Sequence, residues 1–210
     1  MTTTQIKKPS KKAQPADSDA QRIVEAARAH FFSHGFRSVT MDDLAEELAI
    51  SKKTLYAHFP SKITLLEAVL ADKFARLESK LKQVASEHPY DFSAALHELL
   101  ASTRHELDEI KPPFVRDMRQ KAPHVFKMVE RRRGEVIERF FGKLFVEGQR
   151  TGMVRKDLPA KVLIEILLGA VQAIVNPAKV EELGLTPQTA FTSVVKVVLD
   201  GVLTRKGRKA

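Results

Sequence analysis

Thr40-Met41-Asp42-Asp43-Leu44-Ala45-Glu46-Glu47-Leu48-Ala49-Ile50-Ser51-Lys52-Lys53-Thr54-Leu55-Tyr56-Ala57-His58-Phe59 reads as two short helices, each with its own cap, joined by a turn at Ala49-Ile50. Thr40 can accept from the first free amides of a helix, and Asp42 and Asp43 sit in its first turn, where the dipole favours negative charge. Met41, Leu44, Ala45 and Leu48 recur at helical spacing and give that helix an apolar face. Ser51 caps a second helix, Lys52 to His58, on which Leu55 and Phe59 point inward at i, i+4. Lys52, Lys53, Thr54, Tyr56 and His58 remain on the outer side: cations, hydroxyls and an imidazole, with no acid among them. That face suits a polyanion. Two short helices joined by a turn of about three or four residues form a helix-turn-helix, whose second helix fits the DNA major groove, about 12 Å wide.

The flanking sequence is helical throughout. From Ser18 to His34, Ile23, Ala26, Ala27, His30 and Phe31 share one face, and Gly35 supplies the stop. Pro60-Ser61 breaks the chain, and Ser61 caps a long helix running to about Ser86. Further helices span Asp91 to Glu109, Phe114 to about Gln120, Pro123 to Arg150, Pro159 to Val175 and Pro187 to Leu203. Lys111-Pro112-Pro113, Thr151-Gly152 and Asn176-Pro177 separate them. No stretch alternates at period 2, so the expected fold is all-α with about nine helices. The expected organisation is a basic disordered tail over 1–17, a helix-turn-helix domain over 18–62, a second helical domain over 63–204 and a basic tail over 205–210.

Lys+Arg number 35 against 26 Asp+Glu, a formal charge of +9 in 210 residues. Most of the excess lies at the ends: Lys7, Lys8, Lys11 and Lys12 at one, Arg205, Lys206, Arg208 and Lys209 at the other, with no acid beside them. Such ends either aid solubility or touch phosphate or an anionic surface, and charge alone does not choose. No apolar run approaches the roughly 18 residues of a membrane span, and no apolar core follows the N-terminal lysines as in a secretory leader. The absence of cysteine excludes disulfides, thiolate metal sites and cysteine nucleophiles. A cytoplasmic protein is expected, with no membrane partner. There is no Gly-rich phosphate loop or nucleophile elbow, so an enzyme is not expected, nor is a cofactor.

Ala26-Ala27, Phe31-Phe32, His34-Gly35-Phe36, Thr40 to Ala45, Ile50 to Lys62 and Leu65-Leu66 together resemble the tetracycline-repressor (TetR) family of bacterial transcriptional regulators. The resemblance covers about residues 20 to 70. It implies that Ser51, Lys52, Lys53 and Thr54 begin a recognition helix reaching base edges. Thr40, through amide and hydroxyl, Tyr56, His58 and Lys62 would contact phosphates. Members often carry a small residue where Lys53 stands, so a different base preference is expected here. Lys7 to Lys12 would add groove or phosphate contacts. The resemblance further implies a C-terminal effector and dimer domain, release of DNA by a small molecule, and a palindromic operator bound by a homodimer. A DNA-coating structural protein of the same fold is the alternative, and sequence specificity separates the two.

The helices 159–175 and 187–203 are more apolar than a single core-facing stripe requires, and Gly169, Ala170, Ala173, Ala190 and Ser193 allow close approach. A two-fold dimer through them is inferred, and the resemblance implies the same. Phe92, Leu96, Leu100, Phe114, Met118, Phe126, Met128, Phe140 and Phe141 are candidates for an apolar ligand lining, with His97, Arg104, Gln172 or Asn176 as polar selectors. His30 and His34, at i, i+4, have a spacing usable by a metal but lack the intervening Glu of a metalloprotease helix. They read as a packed and a solvated histidine. His97 and His105 lie on one face of their helix and read as ordinary polar groups, with a metal or ligand role the sharper alternative; no metal site is assigned. Glu130-Arg131-Arg132-Arg133 with Glu135 and Glu138 reads as a solvated face with i, i+4 pairing.

Overall fold

The computed structural model describes residues 15–209, so the lysines at 7–12 and the role expected of them lie outside it. The chain runs α1 (Pro15–His34), α2 (Met41–Glu47), α3 (Lys52–His58), α4 (Lys62–Glu87), α5 (Phe92–Asp108), α6 (Pro112–Lys121) and α7 (Pro123–Ile137). It continues with α8 (Lys143–Thr151), α9 (Ala160–Ile174), α10 (Pro177–Glu182) and α11 (Pro187–Val202). A π-helical turn, Glu138–Gly142, joins α7 and α8 into one rod from Pro123 to Thr151. Among the described residues there is no strand, only an isolated antiparallel bridge between Val154 and Leu203. The fold is all-α.

The caps lie where the sequence places them. Thr40 and Asp43 form a reciprocal capping box, Ser51 accepts from the Thr54 amide, and Ser61 and Thr64 form a second box. Asp91 and Thr186 start α5 and α11 in the same manner. The helix missing from the sequence reading is α10. Asn176-Pro177 ends one helix and starts another: the Asn176 side chain accepts from the Lys179 amide at 3.1 Å, and Pro177 occupies the first turn, where a missing N–H costs nothing.

The turn between α2 and α3 is a Schellman closure, with Ile50 N–H donating to Ala45 O and Ala49 N–H to Glu46 O, both at 3.0 Å. Ala49 takes the left-handed position, φ +52°, where glycine is usual. An exposed alanine held there is strained. Ala49→Gly is expected to raise stability by roughly 0.5–1 kcal/mol, read as a shift of the urea midpoint.

Three apolar clusters fill the interior. The first joins α1, α2, α3 and the N-terminal half of α4 to Phe114 and Met118 of α6, and to Ala122 and Val125. The second gathers the C-terminal part of α4, α5, the α7–α8 rod, α9 and Val202. The third is the α9–α11 contact, built on Leu167, Val171, Phe191, Val194 and Val195. The first cluster runs across residue 62, so the head shares its core with the helices behind it. Gly35 marks the same seam. Its φ is +92°, and a Cβ there would lie 2.8 Å from Asp117 Oδ2 and 3.4 Å from Pro113 Cβ. Residues 205–209, read as a basic tail, turn back on the body: Thr204 N–H donates to Met153 O, Lys206 Nζ to Thr151 O and Arg208 to Asp200 O.

Candidate nucleic-acid interface and the cavity behind it

Leu55, fully buried, anchors α3 in the head core, and Phe59 packs beside it half-buried. The opposite side presents Lys52, Lys53 and Tyr56 to solvent, with Thr54 and His58 half-buried at its margin. The eight residues named as DNA contacts therefore lie around α3 and the starts of α2 and α4, but they are not equally available. Lys53 has no ion-pair partner among the described residues. Lys52 Nζ sits 2.7 Å from Asp42 Oδ2, and that hydrogen bond and charge hold the lysine above its ordinary range. Lys52 is thus tied to α2, although its side chain stays exposed. Ser51 and Thr54 share a hydroxyl contact of 2.8 Å while Ser51 caps the helix.

Thr40 is partly committed as well. Its amide donates to Asp43 Oδ2 at 2.9 Å, and its hydroxyl oxygen accepts from the Asp43 amide at 3.1 Å. Only the hydroxyl hydrogen is left for a phosphate, in place of the amide and hydroxyl together. The Thr40 hydrogen bonds hold the Asp43 carboxyl below its usual range. Lys62 lies over the Phe36 ring, 4.5 Å from its centroid, and 5.9 Å from that of Phe31. Burial pulls its pKa down against the opposing charges of Asp117 and Asp43. Its ammonium is therefore a buttress under the α1–α2 turn as well as a cation at the end of α4.

Behind the head, α4, α5, α6 and α7 with the ends of α9 and α11 enclose a cavity of about 470 Å³. Of the expected ligand residues, Phe114, Met118, Phe126 and Gln172 line it, as do Phe141 and Asn176. Phe92, Leu96, His97, Leu100 and Arg104 do not. The cavity meets only the C-terminal end of α5, at Thr103 and Glu106. Phe92 and Leu96 are buried in the second cluster, Leu100 packs between the second and third, and His97 and Arg104 face solvent. Met128 packs on the head core and Phe140 belongs to the second cluster.

The wall also carries charges that the sequence reading missed. Lys73 Nζ donates to Glu106 O at 3.1 Å, to the Glu106 carboxylate and to Glu109 Oε2 at 2.9 Å; Arg28 pairs with Glu109 from α1. Arg133 lines the same cavity, bonded to Glu130 at 2.7 Å. Arg132 and Arg139 both reach the buried Glu78 of α4. The solvated-face reading of 130–138 is thus corrected: Arg131 fits it, whereas Arg132 and Arg133 turn toward α4 and the cavity. The signal was present in the spacing. Lys73 stands between Leu70 and Leu77 on the apolar stripe of α4, and Arg133 between Val129 and Val136 on that of α7.

His30 pairs with Glu47 and stacks on His34 at 5.7 Å, while His97 and His105 are exposed. Among the described residues, Glu87, His88 and Glu98 bring ligand-type atoms together, and His88 and Glu98 form an ion pair of 3.3 Å.

Residues 23–69 match the model of the bacterial regulatory proteins, tetR family. The HTH-type transcriptional regulator UidR of Escherichia coli (strain K12) is 26% identical over 186 residues, 87% of this chain and 92% of that one. Over residues 23–69 the chain carries the tetR-family domain. The HTH-type transcriptional repressor DhaR of Mycobacterium sp. (strain GP1) is 23% identical over 178 residues, covering 83% of this chain and 89% of that protein. A TetR-family regulator from Mesorhizobium loti shares the fold at TM-score 0.67 and 16% identity, over 91% of this chain and 100% of its own. The protein is a helix-turn-helix transcriptional regulator, and α2–α3 is the helix-turn-helix of that domain. Among its described residues no helix is long and apolar enough to cross a membrane.

Proposed function

We propose that the chain is a repressor that binds a palindromic operator as a homodimer and leaves it when a small molecule fills the cavity. The observation that carries this reading is the double membership of α4. Its Leu65, Leu66 and Val69 belong to the head core, and its Leu70, Lys73, Phe74 and Leu77 wall the cavity. A ligand that moves α4 moves the head with it. A coupling of about 1–3 kcal/mol between the two sites loosens DNA roughly 5- to 150-fold. The repressor assignment is also supported by the likeness to DhaR.

The dimer is supported by an outward stripe on α9. Val162 and Ile166 are 42% and 50% exposed, and Gly169 and Ala173 continue the line; on α11, Val197 is 74% exposed beside Ser193 and Gly201. An exposed apolar stripe with small residues suits a second copy of the same helices. Ala190 is fully buried within its own protomer and lies outside that surface.

Base reading is assigned to Lys53 first, with Thr54, Lys52 and Ser51 beside it; Thr40, Tyr56, His58 and Lys62 are assigned to phosphates. Selection of bound DNA from a random pool at near-physiological salt tests the whole reading. An enriched inverted repeat is the expected result, whereas binding without any enriched motif would indicate a DNA-coating protein instead. On that operator, Lys53→Ala is expected to lose about 1–3 kcal/mol and to relax one base position. Equal weakening across all operator variants would make Lys53 a phosphate contact.

A further inference from the structure

We infer that the molecule taken by the cavity has an apolar body and one anionic end, a carboxylate held by Arg133. This rests on the ligand-released reading above and gives its ligand a chemical class. Arg133 stands on α7 between Val129 and Val136, all three of which line the cavity. Its side chain is 26% exposed, and its Nε is buried with no hydrogen-bond partner. Among the described residues its ion-pair partner is Glu130 alone, one turn away, through Nη2. A guanidinium has five N–H donors in a planar fork that matches a carboxylate edge, and one contact to Glu130 leaves most of that fork unused. Burial pulls the Arg133 pKa down despite Glu130, so the protein under-solvates this cation in the absence of a further acceptor.

The other buried charges of the wall are already paired. Lys73 is closed off by two carboxylates and a carbonyl, and Glu106 is held by Lys73 in return. Of Lys73 and Arg133, Arg133 is therefore the one with an unused donor. Arg119, solvent-exposed, is a third cation of the wall beside Lys73 and Arg133, which an ammonium ligand would meet with repulsion. Leu77, Phe126, Val129, Ile137, Phe141 and Phe191 supply the apolar remainder. The volume lies in the range of cavities that bury small organic ligands, roughly 300–1,000 Å³.

Three probes of equal chain length and different head group decide the matter: dodecanoate, dodecanol and dodecylamine, each below micelle formation. Binding to the full chain is read by thermal shift, and release by the anisotropy of labelled operator DNA. Dodecanoate is expected to bind about tenfold or more tighter than dodecanol, with dodecylamine weakest. Arg133→Gln is expected to abolish that preference while changing dodecanol affinity by less than about threefold, each variant being compared with its own ligand-free DNA affinity. Arg133→Lys keeps part of the preference, since it retains charge without the fork. If Arg133→Gln fails to fold, the wild-type series and Arg133→Lys decide alone. Dodecanol binding as tightly as dodecanoate, and releasing DNA, overturns the anionic class and leaves the ligand-released repressor standing. Failure of dodecanoate to bind likewise overturns the anionic class, and it leaves the operator-binding reading to the selection experiment.

Discussion

Phe114→Ala is expected to lower the stability of the protein by about 3–5 kcal/mol. Phe114 has no exposed surface and meets the Phe32 ring edge-on at 4.9 Å between centroids. It lies in the head core and in the cavity wall at once. Truncation therefore removes apolar burial, deletes an aromatic pair and leaves a void that merges with an existing space, so collapse around it is poor. Urea unfolding gives the number. A loss under about 1 kcal/mol would mean that α6 is not part of the core that supports the head.

The second large effect is expected at Lys73. Lys73→Met keeps the stem and removes the charge, which strands Glu106 and leaves Glu109 to Arg28 alone. Breaking a fully buried pair costs about 3–5 kcal/mol; the Glu106 and Glu109 side chains are 23% and 32% exposed, so about 2–3 kcal/mol is expected. The pH dependence follows from the sign. Burial raises the Glu109 carboxyl, but the hydrogen bonds and charges of Lys73 and Arg28 together outweigh it and leave its pKa below the usual value. A depressed carboxyl stabilises the fold above its unfolded pKa, and that contribution disappears as pH falls through the folded value. The stability gap between wild type and Lys73→Met is therefore expected to hold from neutral pH to about pH 4.5 and to narrow as pH falls below that toward the folded value. A gap that stayed constant through that fall would mean that Lys73 acts through its hydrocarbon stem.

Local signals carried most of the fold. Caps at Thr40, Ser51 and Ser61, stops at Gly35 and Gly152 and the 3.6-residue stripes all act within a few residues, so they can be read along the chain. The same holds for the outer face of α3. Partnerships across helices are not local. Nothing in the sequence around Lys52 names Asp42 as its partner, and nothing around Thr40 tells that its amide is already occupied. The cavity was half legible, because an apolar helix position does not say which of two neighbouring clusters it enters. Phe92 and Phe114 look alike in sequence, yet one packs in the second cluster and the other borders the cavity. Lys73 and Arg133 were the readable exceptions, since a cation on an apolar stripe must find partners or a ligand.

The seam between α1 and α6 bears on how such a protein can be recombined. Lys111 N–H donates to Phe32 O at 3.1 Å, and Asp117 accepts from the Arg37 amide at 3.0 Å, directly over the apolar contact of Phe32 with Phe114. A chimera cut at residue 62, grafting a foreign head onto this body, would inherit a mismatched half of one core. Exchange of heads between relatives must therefore carry the facing side of α6 along with the first three helices, whereas a substitution on the outer face of α3 leaves that shared core untouched.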